Sequence, residues 1–163
     1  MSKLGIDATL AYNSGTYASP TWVEITCIGD CAVNPTWSEA AVITRASLIE
    51  QAEKTTLKVE VTGKILSTAG DTGYEKILKA MVGKTKLDML ILNGPIATEG
   101  STGWRGYFQV FSQNEGQNPG DVVMPDISIK PTVPPDGNGL KFANVGTGGT
   151  LAYTAPGTEP TLS

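Results

Sequence analysis

Gly103-Trp-Arg-Gly-Tyr-Phe-Gln-Val-Phe-Ser-Gln113 and, beyond a polar turn, Val122-Val-Met-Pro-Asp-Ile-Ser-Ile-Lys130 decide the fold class of this chain. In the first run Trp104, Phe108 and Val110 alternate against Tyr107 and Phe111, with Gly106 as a bend; in the second, Val123, Ile127 and Ile129 share one face. A period of two, carried by aromatic and β-branched residues, is the pattern of a strand with one covered face. Asn114 to Asp121 between them is polar and contains Gly and Pro, so the two runs read as one long hairpin.

Upstream, Leu87 to Leu92 is an apolar strand stopped by Asn93-Gly94-Pro95. Before it, Thr72-Gly-Tyr-Glu75 has the form of a capping box and predicts a helix over residues 72–82, ended by Gly83. Its stripe is Tyr74, Ile77, Leu78 and Met81. About ten residues do not hold a helix alone in water, so burial of those four must pin it. Leu57, Val59 and Val61 alternate with Lys58, Glu60 and Thr62 before Gly63 interrupts, which reads as a half-exposed strand with a bulge at Gly63. Leu48 to Lys54 has some helical periodicity but no cap, and reads as a turn of helix or the tip of a long loop. Residues 38–47 and Trp22 to Ile28 complete the upstream strands, and Leu140 to Val145 is a short final one. The expected organisation is a flexible arm over 1–19, a β domain over 20–145 and a loose Gly/Thr-rich tail over 146–163. The expected fold is mainly β: two packed antiparallel sheets, as a sandwich or partly open barrel, with one flanking helix.

At 163 residues the chain suits one domain with a real core. Charged residues make up 17%, below the roughly 25% of an average domain, while 19 Gly and 10 Pro favour turn-rich β structure over a helical bundle. There is no histidine, which excludes a Ser-His-Asp arrangement and any His-ligated zinc. Neither a catalytic residue, a cofactor site nor a metal site is expected. The net charge of −4 has the wrong sign for gripping a phosphate backbone. Residues 1–20 carry one Lys and no apolar run of the secretory kind, and no stretch has the length of a membrane span, so a soluble product at its site of synthesis is expected. Cys27 and Cys31 read as a reduced pair at a strand end, with a local disulfide as the alternative.

Trp22, Trp37 and Trp104 offer either an aromatic platform for a carbohydrate or, as the plainer reading, core and interface packing. Arg45 and Arg105, the only arginines, are candidates for ion pairs across an interface or for solvated surface positions. Asp121, Asp126 and Asp136 lack the spacing of a calcium loop, and Gly94, Gly100, Gly103 and Gly106 form no phosphate cradle.

The stretch GWRGYFQVFSQNEGQNPGDVVMPDISIKPT, from Gly103 to Thr132, is similar to the closing hairpin of the major tail tube proteins of long-tailed bacteriophages, where an aromatic strand, a polar turn and a strand ending in a KPT-like sequence recur. The order before it fits too: Trp22-Val-Glu-Ile25, a long loop around Arg45 to Lys54, the strand Lys58 to Leu66, a helix at Gly73 to Val82, and Leu87 to Leu92. The resemblance spans residues 20–133 and rests on patterns of strand and turn. It leaves the N-terminal arm and the C-terminal tail without counterparts.

The resemblance implies a structural virion protein, shared in fold with the tubes of contractile tails and type VI secretion, whose hexameric rings stack into a hollow tube that conducts DNA. It implies further copies and other tail proteins (tail tip, tape measure, terminator) as partners, four strands per subunit on the inner wall, DNA that passes without specific binding, and a place in the virion tail after assembly in the host cytoplasm. Twenty-four strands about 4.8 Å apart and tilted by about 40° enclose a bore near 38 Å after side chains, wider than duplex DNA at roughly 20 Å. On this reading the negative net charge would make a wall that repels phosphate. Arg45, Leu48, Glu50, Gln51, Glu53 and Lys54 are the expected ring-to-ring contacts. The alternative is a carbohydrate- or cell-surface-binding β-sandwich module carried by the three tryptophans.

Overall fold

The structure, a computed structural model, describes residues 8–42, 51–116, 119–120 and 122–162. Nine strands and one helix follow in the order β1 (Thr9–Asn13), β2 (Trp22–Glu24), β3 (Ile28–Val42), β4 (Gln51–Ile65), α1 (Thr72–Gly83), β5 (Leu87–Leu92), β6 (Thr102–Asn114), β7 (Asp126–Pro131), β8 (Lys141–Gly146) and β9 (Thr150–Thr154). The mainly β class with one helix is as expected. The pairing differs in that every neighbouring pair is antiparallel and belongs to one open sheet, β2-β1-β5-β6-β7-β4-β3, with β8 and β9 branching from β6.

The branch exists because β6 is long. Gly103 to Phe108 pairs with β5 on one edge, while Thr102 to Arg105 pairs with β8 and Phe108 to Asn114 with β7 on the other edge. The sheet therefore turns back over both faces of β5, and all six residues of that strand are buried. Leu87, Met89 and Ile91 enter the larger core with Phe108, Val110, Ile127, Ile129, Val61, Ile65 and the helix residue Ile77. Leu90 and Leu92, pointing the other way, join Ala143, Val145, Trp22, Leu151 and Tyr153. Sheet-over-sheet packing is thus obtained within a single hydrogen-bonded sheet. Close backbone approach dictates Gly103, where a Cβ would land on the carbonyl of Ile91.

Both presumed loose ends contain strands. Thr9–Asn13 pairs with β5 and buries Leu10 and Ala11, so the flexible arm over 1–19 does not hold for those residues. In the C-terminal segment Thr150–Thr154 pairs with β8, and Asn144 donates its side-chain amide to the Thr161 carbonyl at 3.2 Å. Long-range pairing partners, absent from the local pattern, order these Gly- and Thr-rich stretches.

Helix α1 begins at the expected place with a different cap. Asp71, in extended backbone, accepts the Tyr74 N–H at 2.8 Å, and Glu75 pairs with Lys79 at 3.0 Å instead of reaching back to Thr72. Gly83 is the last helical residue, and Lys84, in the left-handed region at φ 53°, closes the end by donating its N–H to the Ala80 carbonyl. Gly73, Ile77 and Ala80 form the buried face, with Tyr74 and Met81 partly covered. Leu78 is 37% exposed and so leaves the expected packing stripe: small residues at 73 and 80 bring the helix axis close to the sheet and turn Leu78 to the rim.

Candidate assembly surface

β3 and β4 pair along almost their whole length, from Ile28 opposite Ile65 to Val42 opposite Gln51. Gln51 to Lys54, where helical periodicity suggested a helical turn or loop tip, is strand, because the cross-strand ladder overrides a weak local preference. The expected bulge near Gly63 lies on the partner strand: register shifts between Ile28 and Cys31, and a Cβ on Gly63 would come within 2.6 Å of the Asp30 carbonyl. A second shift lies between Trp37 and Glu39.

The hairpin outruns the body of the protein. β4 pairs with β7 only over Val61 to Lys64, so from Glu60 outward β3 and β4 form a two-stranded ribbon with both outer edges unpaired among the described residues. Its β3 side, Asn34 to Val42, is about 30 Å long. One face continues the core outward through the register pairs Val33 and Val61, Pro35 and Val59, and Trp37 and Leu57. Val59 is buried, whereas Trp37 and Leu57 are half-buried. Pro35, which has no N–H to give, sits where its strand is a sheet edge.

Of the expected contact residues, Glu53 and Lys54 lie exposed on this ribbon, and Lys54 stands 6.0 Å from the Trp37 ring. Gln51 closes the described ladder, opposite Val42. Arg45, Leu48 and Glu50 lie outside the described residues.

The opposite face of β3, β4, β7 and the distal part of β6 is polar. Asn34 stands opposite Glu60, Thr36 opposite Lys58, Thr62 opposite Ser128, Lys64 opposite Asp126, and Asn114 opposite Asp126. Ser128 donates to Glu60 at 2.8 Å, and Lys130 lies 3.6 Å from the same carboxylate. Asp30, Lys64 and Asp126 also line one open cleft of about 800 Å³ on this region. The described charged residues of this surface are Lys58, Lys64 and Lys130 against Asp30, Glu53, Glu60 and Asp126.

Arg105 is neither at an interface nor solvated. It is 3% exposed, holds Asp88 through Nε at 3.2 Å and Nη2 at 2.8 Å, and donates from Nη2 to the Tyr17 carbonyl at 2.9 Å. The rings of Tyr17, Trp22 and Tyr153 surround the guanidinium, with centroids 3.9, 5.0 and 4.9 Å from Cζ. Asn13 donates to Asp88 at 2.9 Å and, through Oδ1, accepts the N–H groups of Gly15 and Thr21. The cluster thereby latches the segment between β1 and β2 to the sheet. Asp88, the one charge in an apolar strand run, is the signal in the sequence that could have revealed it.

The tryptophans build no common platform. Trp22 packs on Arg105, Trp104 faces the other side of β6 and meets Phe142 edge-on at 5.5 Å, and Trp37 lies on the ribbon. Both cysteines are free thiols, Cys27 half-buried and Cys31 exposed. Burial and the Asp71 carboxylate push the Cys27 thiol up to about 11, while the Tyr74 N–H and Cys27 hold Asp71 below the usual carboxylate range.

No family model and no curated protein matches the sequence. Solved structures match the fold. The tail of an empty gene transfer agent particle, refined with helical C6 symmetry, aligns with a TM-score of 0.64 and 11% identity over 94% of this chain and all of that one. The SPP1 tail tube aligns with a TM-score of 0.64 and 11% identity over 79% of this chain and 75% of its own. The virion of the native gene transfer agent gives 0.62 and 11%, over 94% and 100%. At such identities the likeness is one of fold.

Proposed function

We propose that this chain, having the fold of tail tube subunits, serves the same end: a structural virion protein whose copies join laterally into hexameric rings that stack into a DNA-conducting tube. The observation that carries the reading is the ribbon. An isolated two-stranded hairpin is at best marginally stable in water, and unpaired strand edges invite pairing with another chain. Among the described residues a 15-residue edge strand is unpaired along its outer side, and past Glu60 its partner is unpaired on its outer side as well. The edge strands β2 and β9 are short by comparison, so lateral contact joins unlike edges, and a heterologous contact of that kind closes into rings or propagates along an axis.

In this reading the polar face of β3, β4, β7 and β6 is the four-strand share of the inner wall, and Arg45, Leu48, Glu50, Gln51, Glu53 and Lys54 touch the next ring. The further partners are other tail proteins: tip, tape measure and terminator. Purified protein concentrated at neutral pH and viewed by negative-stain electron microscopy tests it. Hollow tubes or rings of uniform diameter support the reading, and a protein that stays monomeric at every concentration, even with tail-tip components added, overturns it.

A further inference from the structure

We infer that an apolar groove along the outer edge of β3 is the docking site of the chain's own residues 1–7, which pair with that edge as a strand and seat Leu4 and Ile6 in the groove. The open sheet ends on β3 at one side and on β1 and β2 at the other, and the groove, of about 340 Å³, lies in the seam between them. Ala8, Cys31, Val33, Pro35, Trp104 and Phe142 line it. Ala8 and Cys31 also line a second cavity, of about 290 Å³, on the β2 side of the seam. The two residues therefore stand across from each other where the cavities meet.

Direction and register select the occupant. From β1 through β5, β6, β7 and β4 to β3 every pairing is antiparallel, five steps in all, so β1 and β3 run in opposite senses. Thr9 opposite Leu92 is the last rung of β1 on β5, so the chain that precedes it leaves β5 at Ala8, inside the groove. Followed backward from Ala8, that chain travels the way β3 does from Cys31 to Trp37. With Ala8 beside Cys31, antiparallel pairing sets Ile6 opposite Val33 and Leu4 opposite Pro35, on the face that carries the core outward. Lys3, Gly5 and Asp7 then turn with Thr36, Asn34 and Ala32 to the polar face. A slip of one residue would drive Lys3 and Asp7 into the groove, so the pattern admits one register. Covering the proximal edge of β3 leaves the part past Trp37 for pairing with another chain. The inference concerns a single chain and does not depend on assembly.

Disulfide trapping in the unassembled subunit tests it. In a Cys27→Ser/Cys31→Ser background, Ile6→Cys/Val33→Cys places two thiols directly opposite each other, at a spacing a disulfide can span. Gly5→Cys/Val33→Cys points them to opposite faces and is the control. Diamide oxidation of mixed light and heavy-isotope chains, followed by digestion and mass spectrometry, is expected to join residues 6 and 33 within one chain, at least about tenfold faster than the control pair. Equal rates for the two pairs, no bond, or bonds joining light to heavy chains overturn the inference; the last outcome gives the groove to a second copy. Hydrogen exchange supplies a readout that leaves β3 untouched. Leu4→Asp/Ile6→Asp should speed exchange of the peptide Ala32 to Trp37 by about tenfold and leave Leu87 to Leu92 unchanged, and an unchanged rate at 32–37 overturns the inference even if the cysteine variants do not fold.

Discussion

Arg105 and Asp88 face each other across β5 and β6 as a bidentate pair, on the side of the sheet opposite Trp104, the residue that immediately precedes Arg105. Removing one member of a buried pair strands the other charge, at a cost of about 3–5 kcal/mol. Arg105→Met is therefore expected to lower stability by about that amount in urea titration. The double variant Arg105→Met/Asp88→Leu should recover much of the loss. Because Tyr17 is held by Arg105, limited proteolysis should cut residues 14–21 faster in the single variant.

Helix α1 separates two leucine-sized positions that its sequence treats alike. Ile77 is 1% exposed and Leu78 is 37% exposed. Ile77→Ala should cost about 2–5 kcal/mol, as for other cavity-forming changes. Leu78→Ala should cost under about 1 kcal/mol in the same chemical denaturation measurement.

Asp71 and Cys27 bound the pH range of full stability from opposite sides. The Asp71 carboxylate is depressed by the Tyr74 N–H and the Cys27 thiol, so its contribution is present above its unfolded value and disappears as acid protonates it. The Cys27 thiol is raised to about 11, so its contribution is complete below the ordinary thiol value and is lost as pH climbs toward 11. Asp71→Asn, which still caps, should flatten the acid limb of a Tm-against-pH curve, while Asp71→Ala should also lower the plateau. Iodoacetamide at pH 8 should label exposed Cys31 well before Cys27, and Ellman titration of unreduced denatured protein should find two thiols per chain.

The ribbon's apolar face should matter to assembly and little to the isolated subunit. Leu57→Asp is expected to abolish tubes in negative stain while leaving the circular dichroism of the soluble subunit unchanged, since Leu57 projects beyond the cluster formed by Val61, Ile65 and their partners.

Elements with strong local periodicity are legible in the sequence. Strand β5, helix α1 and the hairpin of β6 and β7 stand where alternation or a 3.6-residue stripe put them, except that β7 begins at Asp126 and residues 122–125, expected as part of it, are not strand. Strand β1 escaped notice because Thr9-Leu-Ala-Tyr-Asn13 is short and surrounded by Gly, Ser and Thr, and what orders it is pairing with Met89 to Leu92, far along the chain. The same holds for β9. Of the expected contact residues, Glu53 and Lys54 fall on the open ribbon, but their role there depends on a partner that one chain's pattern does not encode. Nothing local to Arg105 says that a carboxylate waits for it on the neighbouring strand.

Strand β6 holds three strands at once, β5 along one side and β8 and β7 end to end along the other. A force pulling the two halves of the subunit apart lengthwise has no ladder to unzip one rung at a time. It must slide many backbone hydrogen bonds together in shear, so the subunit's mechanical strength along β6 rests on one continuous rod of polypeptide.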